Sequence, residues 1–178
     1  MNNLKLLQVN GVTMPGTPRR HFLKEKEAEQ LLASISQKLK VKPHELFGPK
    51  PRIERVETEV AEIFFINGKP IMANSNEMLF PTLMFDVFSA FIPKIIVNMG
   101  AVSHICNGAD VMAPGVVRIN GNFNEGEFLL VVDERYEKPL AIGVALVNSQ
   151  FATNLTHGKI AKNIHFVGDK LWNLLKSL

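Results

Sequence analysis

The sequence predicts an α+β protein in two parts. An N-terminal α+β domain covers residues 1–93, with 1–18 as an extended lead-in, and a C-terminal pseudo-β-barrel covers 94–178. Three observations carry this. One amphipathic helix stands near the start, and a hairpin signal, Asn67-Gly68, follows it between apolar runs. After Lys94 the chain becomes a series of short apolar stretches divided by Asn120-Gly121, Glu125-Gly126, Lys138-Pro139 and His157-Gly158. Many short strands with regular turns imply a small barrel, which removes exposed sheet edges by closing on itself.

In chain order, Met1 to Pro18 contains Asn10-Gly11 and Pro15-Gly16 and reads as extended lead-in. Arg19 to Leu23 is a short strand. The helix spans Lys24 to about Lys40. Ala28, Leu31, Leu32, Ile35 and Leu39 share one face, with Glu25, Glu27 and Glu29 near its start and Lys38 and Lys40 at its end, as the helix dipole favours. Pro43, Pro49 and Pro51 mark a turn region. Arg52 to Ile66 and Lys69 to Ala73 are two strands about the Asn67-Gly68 turn. Leu83 to Phe91 is a mostly apolar helix, started by Thr82, stopped by Pro93 and buried at the domain junction.

The second part opens with the strand Lys94 to Val97. Asn98 caps a helix from Met99 to Asn107, with Val102, Ile105 and Cys106 inward, and Gly108 ends it. Strands follow at Val116–Ile119, Phe128–Asp133, Leu140–Val147 and Asn163–Val167. The chain ends in a helix, Asp169 to Leu178, with Leu171, Trp172, Leu174 and Leu175 largely on the core.

Composition bounds the function classes. Hydrophobic residues make up 46% and charged residues 21%, which fits a globular chain and not a disordered one. Twelve Phe stand against one Tyr and one Trp; Phe has no polar handle, so most of these rings belong to a core. One cysteine, Cys106, excludes an internal disulfide and a multi-cysteine zinc site, and its apolar setting makes it a buried thiol. The apolar start is too short for a signal peptide. Pro81, Asp86, Pro93, Lys94 and Asn98 interrupt the most apolar region too often for a membrane span. A soluble, cytoplasmic protein is expected.

The net charge of +3 is unevenly spread. Residues 1–52 carry ten Lys or Arg against four Glu, a net +6; residues 53–93 carry −4 and residues 94–178 carry +1. A basic first third is a phosphate-facing surface or a solvated helix face; charge alone leaves both open.

The segment with chemical content is Asn107-Gly108-Ala109-Asp110-Val111-Met112-Ala113-Pro114-Gly115-Val116. Glycines at a helix-to-strand connection permit positive φ and close backbone approach, so such a loop can present amide donors to phosphate or base edges. Taken alone, it reads first as a tight structural turn.

Together with Gly100-Ala101 and Cys106, this stretch closely resembles the signature of the PUA domain, a small RNA-binding barrel, and Leu140-Ala141-Ile142-Gly143-Val144-Ala145 resembles its glycine-containing strand. The likeness covers about 94–178. A narrower one adds Phe80-Pro81-Thr82-Leu83 and Lys162 to Trp172. It is to the malignant-T-cell-amplified-sequence family and its archaeal relatives, in which a small α+β pre-PUA domain precedes the PUA domain. That family, with the PUA-bearing part of ligatin, is associated with tRNA and the small ribosomal subunit, and its eukaryotic members work with a density-regulated partner protein.

The resemblance implies an RNA-facing loop at Gly108, Ala109, Asp110, Met112, Pro114 and Gly115. Arg118 and Lys94 lie on neighbouring strands, and Lys159 and Lys162 precede the last strand. Asp110 is expected to accept hydrogen bonds from the loop or from the RNA. Met112 is weighed as a barrel plug ahead of an RNA contact. Asn98 departs from the acid usual before the family's glycine, but Asn caps a helix as well. Arg19 and Arg20 are the first domain's candidates for gripping RNA.

No zinc spacing joins the five histidines, and no phosphate loop, nucleophile elbow or dinucleotide fingerprint is present. The expectation is therefore a non-enzymatic RNA-binding protein without metal or cofactor. It would act in translation on tRNA, rRNA or the small subunit during initiation or recycling, and the resemblance admits a protein partner. The rivals are a ribosome-biogenesis or RNA-modification accessory factor and a protein-interaction module docking through the 83–91 helix.

Overall fold

A computed structural model of the chain describes residues 18–85 and 90–178. The lead-in 1–17 and the centre of the predicted helix 83–91 lie outside the described residues.

The first part is a five-stranded antiparallel meander with helices at its start. Its elements are β1 (Arg19–Phe22), α1 (Glu25–Leu39), α2 (Pro43–Phe47), β2 (Ile53–Glu57), β3 (Glu62–Ile66), β4 (Lys69–Ser75) and β5 (Met78–Pro81), with strands in sequence order. The helix α1 begins where the Lys24 N–H donates to Glu27 Oε2 at 3.1 Å and ends at Lys40, whose φ is +54°. The predicted apolar stripe is the face that packs: Leu31, Leu32, Ile35 and Leu39 are buried. Asn67 and Gly68 both have positive φ, 51° and 81°, as the β3–β4 hairpin requires.

Three expectations are corrected here. The proline-rich 43–51 stretch contains a helix, because Pro43 occupies its first position, where no donor is lost. The strand expected over 52–66 is two strands. The Thr58 hydroxyl accepts from the N–H groups of Val60 and Ala61 at 3.2 and 3.1 Å and forms a side-chain-closed turn between β2 and β3. Leu83 and Met84 form a turn and not a first helical turn. The buried Thr82 hydroxyl donates to the Pro70 carbonyl instead of capping a helix.

The second part contains β6 (Lys94–Val97), α3 (Met99–Ile105), β7 (Val111–Met112), a single 3-10 turn (Ala113–Gly115), β8 (Val116–Asn120), β9 (Phe128–Asp133), β10 (Pro139–Ala145), α4 (Ser149–Asn154), β11 (Lys159–Phe166) and α5 (Lys170–Ser177). Its strands form a curled sheet in the order β7-β11-β10-β9-β6-β8, with β6 and β9 parallel. The last strand starts at Lys159 and not Asn163, so Lys159 and Lys162 lie within it.

The two faces of this sheet serve two cores. Ile95, Val97, Leu129, Val131 and Ala141 turn into the barrel; Ile96, Phe128, Leu130, Val132 and Ile142, with Leu171 and Leu175 of α5, join the core of the first sheet. A strand buried on both faces reads as a continuous apolar run, which is why β9 is Phe-Leu-Leu-Val-Val-Asp. One core thus spans both parts of the chain. Lys40 Nζ adds an ion pair across them, 2.6 Å from Glu127 Oε1.

Candidate nucleic-acid interface

The signature loop begins at the end of α3. Asn98 caps this helix, its Oδ1 accepting from the Ala101 N–H at 3.0 Å, and its Nδ2 reaches across to the Pro114 carbonyl at 3.4 Å. The Asn98 N–H donates to the Gly115 carbonyl at 2.9 Å, so the Pro114–Gly115 end of the loop is tied to the start of α3. At the far end of α3, the Gly108 N–H donates to Ile105 and the Ala109 N–H to His104, each at 3.0 Å. Gly108 has φ +88°, and a Cβ there would lie 3.1 Å from the Phe166 ring, so both backbone and space call for glycine. A Cβ at Gly115 would meet the Ala101 methyl at 3.1 Å; the small pair lets the loop approach the helix.

The loop is then fastened to β11. Asp110 Oδ2 accepts from Lys159 Nζ at 2.8 Å and Oδ1 from the Asn163 N–H at 3.0 Å. The Lys159 ammonium, and after it the Asn163 N–H, hold the Asp110 carboxyl below the usual carboxylate range. The Asn163 amide donates to the carbonyls of Ile105 and Ala109, both at 3.0 Å. Lys159 is largely exposed, with 58% of its side-chain surface open, and such pairs contribute about 0–1 kcal/mol. The two Asn163 side-chain bonds contribute about 1 kcal/mol each, so asparagine and not lysine is the main fastening.

Between α3 and the loop lies an open groove of about 400 Å³. Gly100, Ala101 and His104 line one side, and Ala109, Met112 and Gly115 the other. Met112 is 45% exposed, which corrects its reading as a barrel plug: Val111 points inward, so the next residue of a strand points out.

The predicted residues divide by position. Gly108, Ala109, Asp110, Met112, Pro114 and Gly115 come together with Lys159, and Lys162 lies near enough to Asp110 to add to its low pKa. Lys94 does not join them: it pairs with Asn120 at the opposite end of β6, about 10 Å along the strand from Val97. Arg118, on β8, is 3.0 Å from Glu137 Oε1. Arg19 and Arg20 stand on the exposed edge strand of the first sheet, where Arg20 pairs with Glu54 at 3.1 Å and lies 4.8 Å from the Phe65 ring centre. Asn163 was missed as a site residue; its one local signal is a polar amide inside a strand, where Asn is unfavourable. Cys106 is half-buried, and burial pushes its thiol up, away from reactivity. Among the described residues no three His, Cys, Asp or Glu side chains lie together as a metal site, and no helix is long and apolar enough to cross a membrane.

Family models match the chain twice, as PUA domain over residues 93–167 and as Domain of unknown function (DUF1947) over 19–85. An uncharacterized protein of Methanocaldococcus jannaschii is 35% identical over 161 residues, 87% of this chain and 96% of its own length. The chain belongs to the two-domain PUA proteins of the malignant-T-cell-amplified-sequence family. Among its relatives, translation machinery-associated protein 20 of Saccharomyces cerevisiae is 26% identical over 72% of this chain and 76% of its own. Malignant T-cell-amplified sequence 1 of Danio rerio is 24% identical over 65% and 67%. The crystal structure of a hypothetical protein from Pyrococcus horikoshii superposes with a TM-score of 0.76 at 32% identity, covering 88% of this PUA protein and 99% of that chain.

Proposed function

We propose that this PUA protein holds structured RNA in translation, binding tRNA and the small ribosomal subunit during initiation or recycling, and that it binds without catalysis. The observation that carries the reading is the groove between α3 and the Gly108–Gly115 loop. It is pre-formed by Asn98 at one end and by Asp110 and Asn163 at the other, and its rim is backbone, His104 and Met112. A rigid loop of this kind positions an RNA end at small ordering cost, while lysines beside it supply attraction. Membership of a family that contains translation machinery-associated proteins supports the translational setting.

The test titrates labelled tRNA and purified small subunits with the whole protein at two salt concentrations. Binding should weaken steeply with salt, because phosphate contacts release counterions. Gly108→Val, once circular dichroism shows it folded, should lose most of that binding, since valine opposes positive φ and meets the Phe166 ring. A folded variant that binds normally would make the loop purely structural, and binding to protein partners but to neither RNA would overturn the reading.

A further inference from the structure

A second groove, of about 550 Å³, runs between the two parts of the chain. Val60, Ser75 and Asn76, from the turns at one end of the first sheet, form one wall; Lys162 and Ile164 of β11 and Lys170 of α5 form the other. Its volume falls in the range of ordinary ligand sites, about 300–1,000 Å³. Lys40, Lys42 and Lys159 are each paired with a carboxylate, whereas Lys162 and Lys170 make no ion pair among the described residues. The acid in the lining, Asp169, is already committed. Its Oδ2 accepts from His165 Nδ1 at 2.7 Å and the Phe166 N–H at 3.0 Å, and its Oδ1 from the Trp172 N–H at 2.6 Å. Two unpaired lysines against one acid leave the lining with a net charge of +1, and Met78 and Phe80 add an apolar part.

This groove and the loop groove share a strand. Asn163 fastens the loop and also lines the inter-domain groove, and the neighbouring Lys162 acts on Asp110 from the groove's edge. We propose that the inter-domain groove carries the sugar–phosphate backbone of the RNA whose end lies in the loop groove. Lys162 and Lys170 contact phosphates, and the Asn76 amide donates from the first domain. This rests on the RNA-binding reading above and adds to it a path and a polarity: the end at the loop, the continuing strand between the domains. Lysine–phosphate contacts fix position and add affinity without reading sequence, so the groove accepts any single strand of suitable length.

Lys170→Glu and Asn76→Asp place new negative charge on opposite walls without touching the loop. Both suit the fold: an acid is favourable in the first turn of α5, and Asp tolerates the left-handed conformation of residue 76, φ +50°. Fluorescence anisotropy is measured on the whole chain with RNA hairpins whose 3′ single-stranded tails either fill the loop groove alone or span both grooves. On the long tail each variant should lose about tenfold in affinity, and Lys170→Glu should lower the slope of log affinity against log salt by about 0.7, one single-strand phosphate contact. On the short tail both should stay within about twofold of the unchanged protein. Unaltered affinity and slope on the long tail would overturn the groove while leaving the loop reading intact, and so would equal losses on both tails. Displacement of the long-tailed RNA by a decaglutamate peptide more readily than by polyphosphate would make the groove a site for acidic peptide and overturn its assignment to RNA. If the unchanged protein binds neither RNA, the RNA-binding reading fails and the groove proposal fails with it.

Discussion

The backbone N–H of Asn163 lies 3.0 Å from Asp110 Oδ1, so the last strand of the barrel grips the signature loop by the loop's own acid. The same asparagine then spends its side-chain amide on Ile105 and Ala109, the residues on either side of the glycine turn. An acid beside an RNA surface opposes phosphate. Here its charge is matched by Lys159 and each oxygen accepts one bond from β11, so the acid serves to hold the loop.

Asn163→Ala should cost about 1–2 kcal/mol, because two donors are lost and the Ala109 carbonyl loses its side-chain partner, while Ile105 keeps the Gly108 N–H. Urea unfolding measures the loss. RNA affinity should fall with it under conditions where the variant is still folded. A change below about 0.5 kcal/mol, the size expected of a neutral surface substitution, would show that the loop holds itself.

The Asp110 bonds also predict a pH dependence. Its folded-state pKa is depressed, first by the Lys159 hydrogen bond and then by the Asn163 N–H. The stabilisation is therefore fully present above the unfolded carboxyl value of about 3.9 and disappears as pH falls through the lower folded value. Other depressed acids contribute to the same slope, so the measurement is a difference. Unfolding curves of the unchanged protein and Asp110→Asn should converge as pH falls below about 4. Parallel curves across that window would deny the carboxylate its role.

Met112 tests which way β7 faces. Its side chain is 45% exposed on the groove, so Met112→Ala should leave stability within about 0.5 kcal/mol while weakening RNA binding. Thermal denaturation and the tRNA titration read the two effects separately. A loss of about 2–5 kcal/mol, the range for truncating a core methionine, would return the residue to the interior.

Cutting the chain at Pro93 should damage both halves. A fragment of residues 94–178 would expose Ile96, Phe128, Leu130, Val132, Ile142 and Leu171, which complete a core shared with the first sheet. We expect it to melt well below the whole chain and to bind a hydrophobic dye, as exposed core surface does. A fragment with the full chain's melting temperature would show that the shared core contributes little.

The sequence by itself determined the elements whose cause is local. The spacing of Ala28, Leu31, Leu32, Ile35 and Leu39 is a helical face wherever it occurs, Asn67-Gly68 supplies the two positive φ values of a tight hairpin, and Asn98 caps the helix after it. The segment from Asn107 to Val116 pointed to the PUA domain through its resemblance to that family's signature, and the family match bears it out. Elements without such signals were lost: α4, the two-residue β7, and β5, whose Asn76-Glu77 turn carries positive φ without a glycine to announce it. What only the tertiary structure decided is where distant residues meet. Asp110 and Lys159 stand 49 positions apart and Ala109 and Asn163 stand 54 apart, and strand order alone makes them neighbours. The outward turn of Met112 and the separation of Lys94 from the loop belong to the same class. So does the core that joins the two parts, since burial of one sheet face against another element depends on which surfaces remain once each sheet has formed.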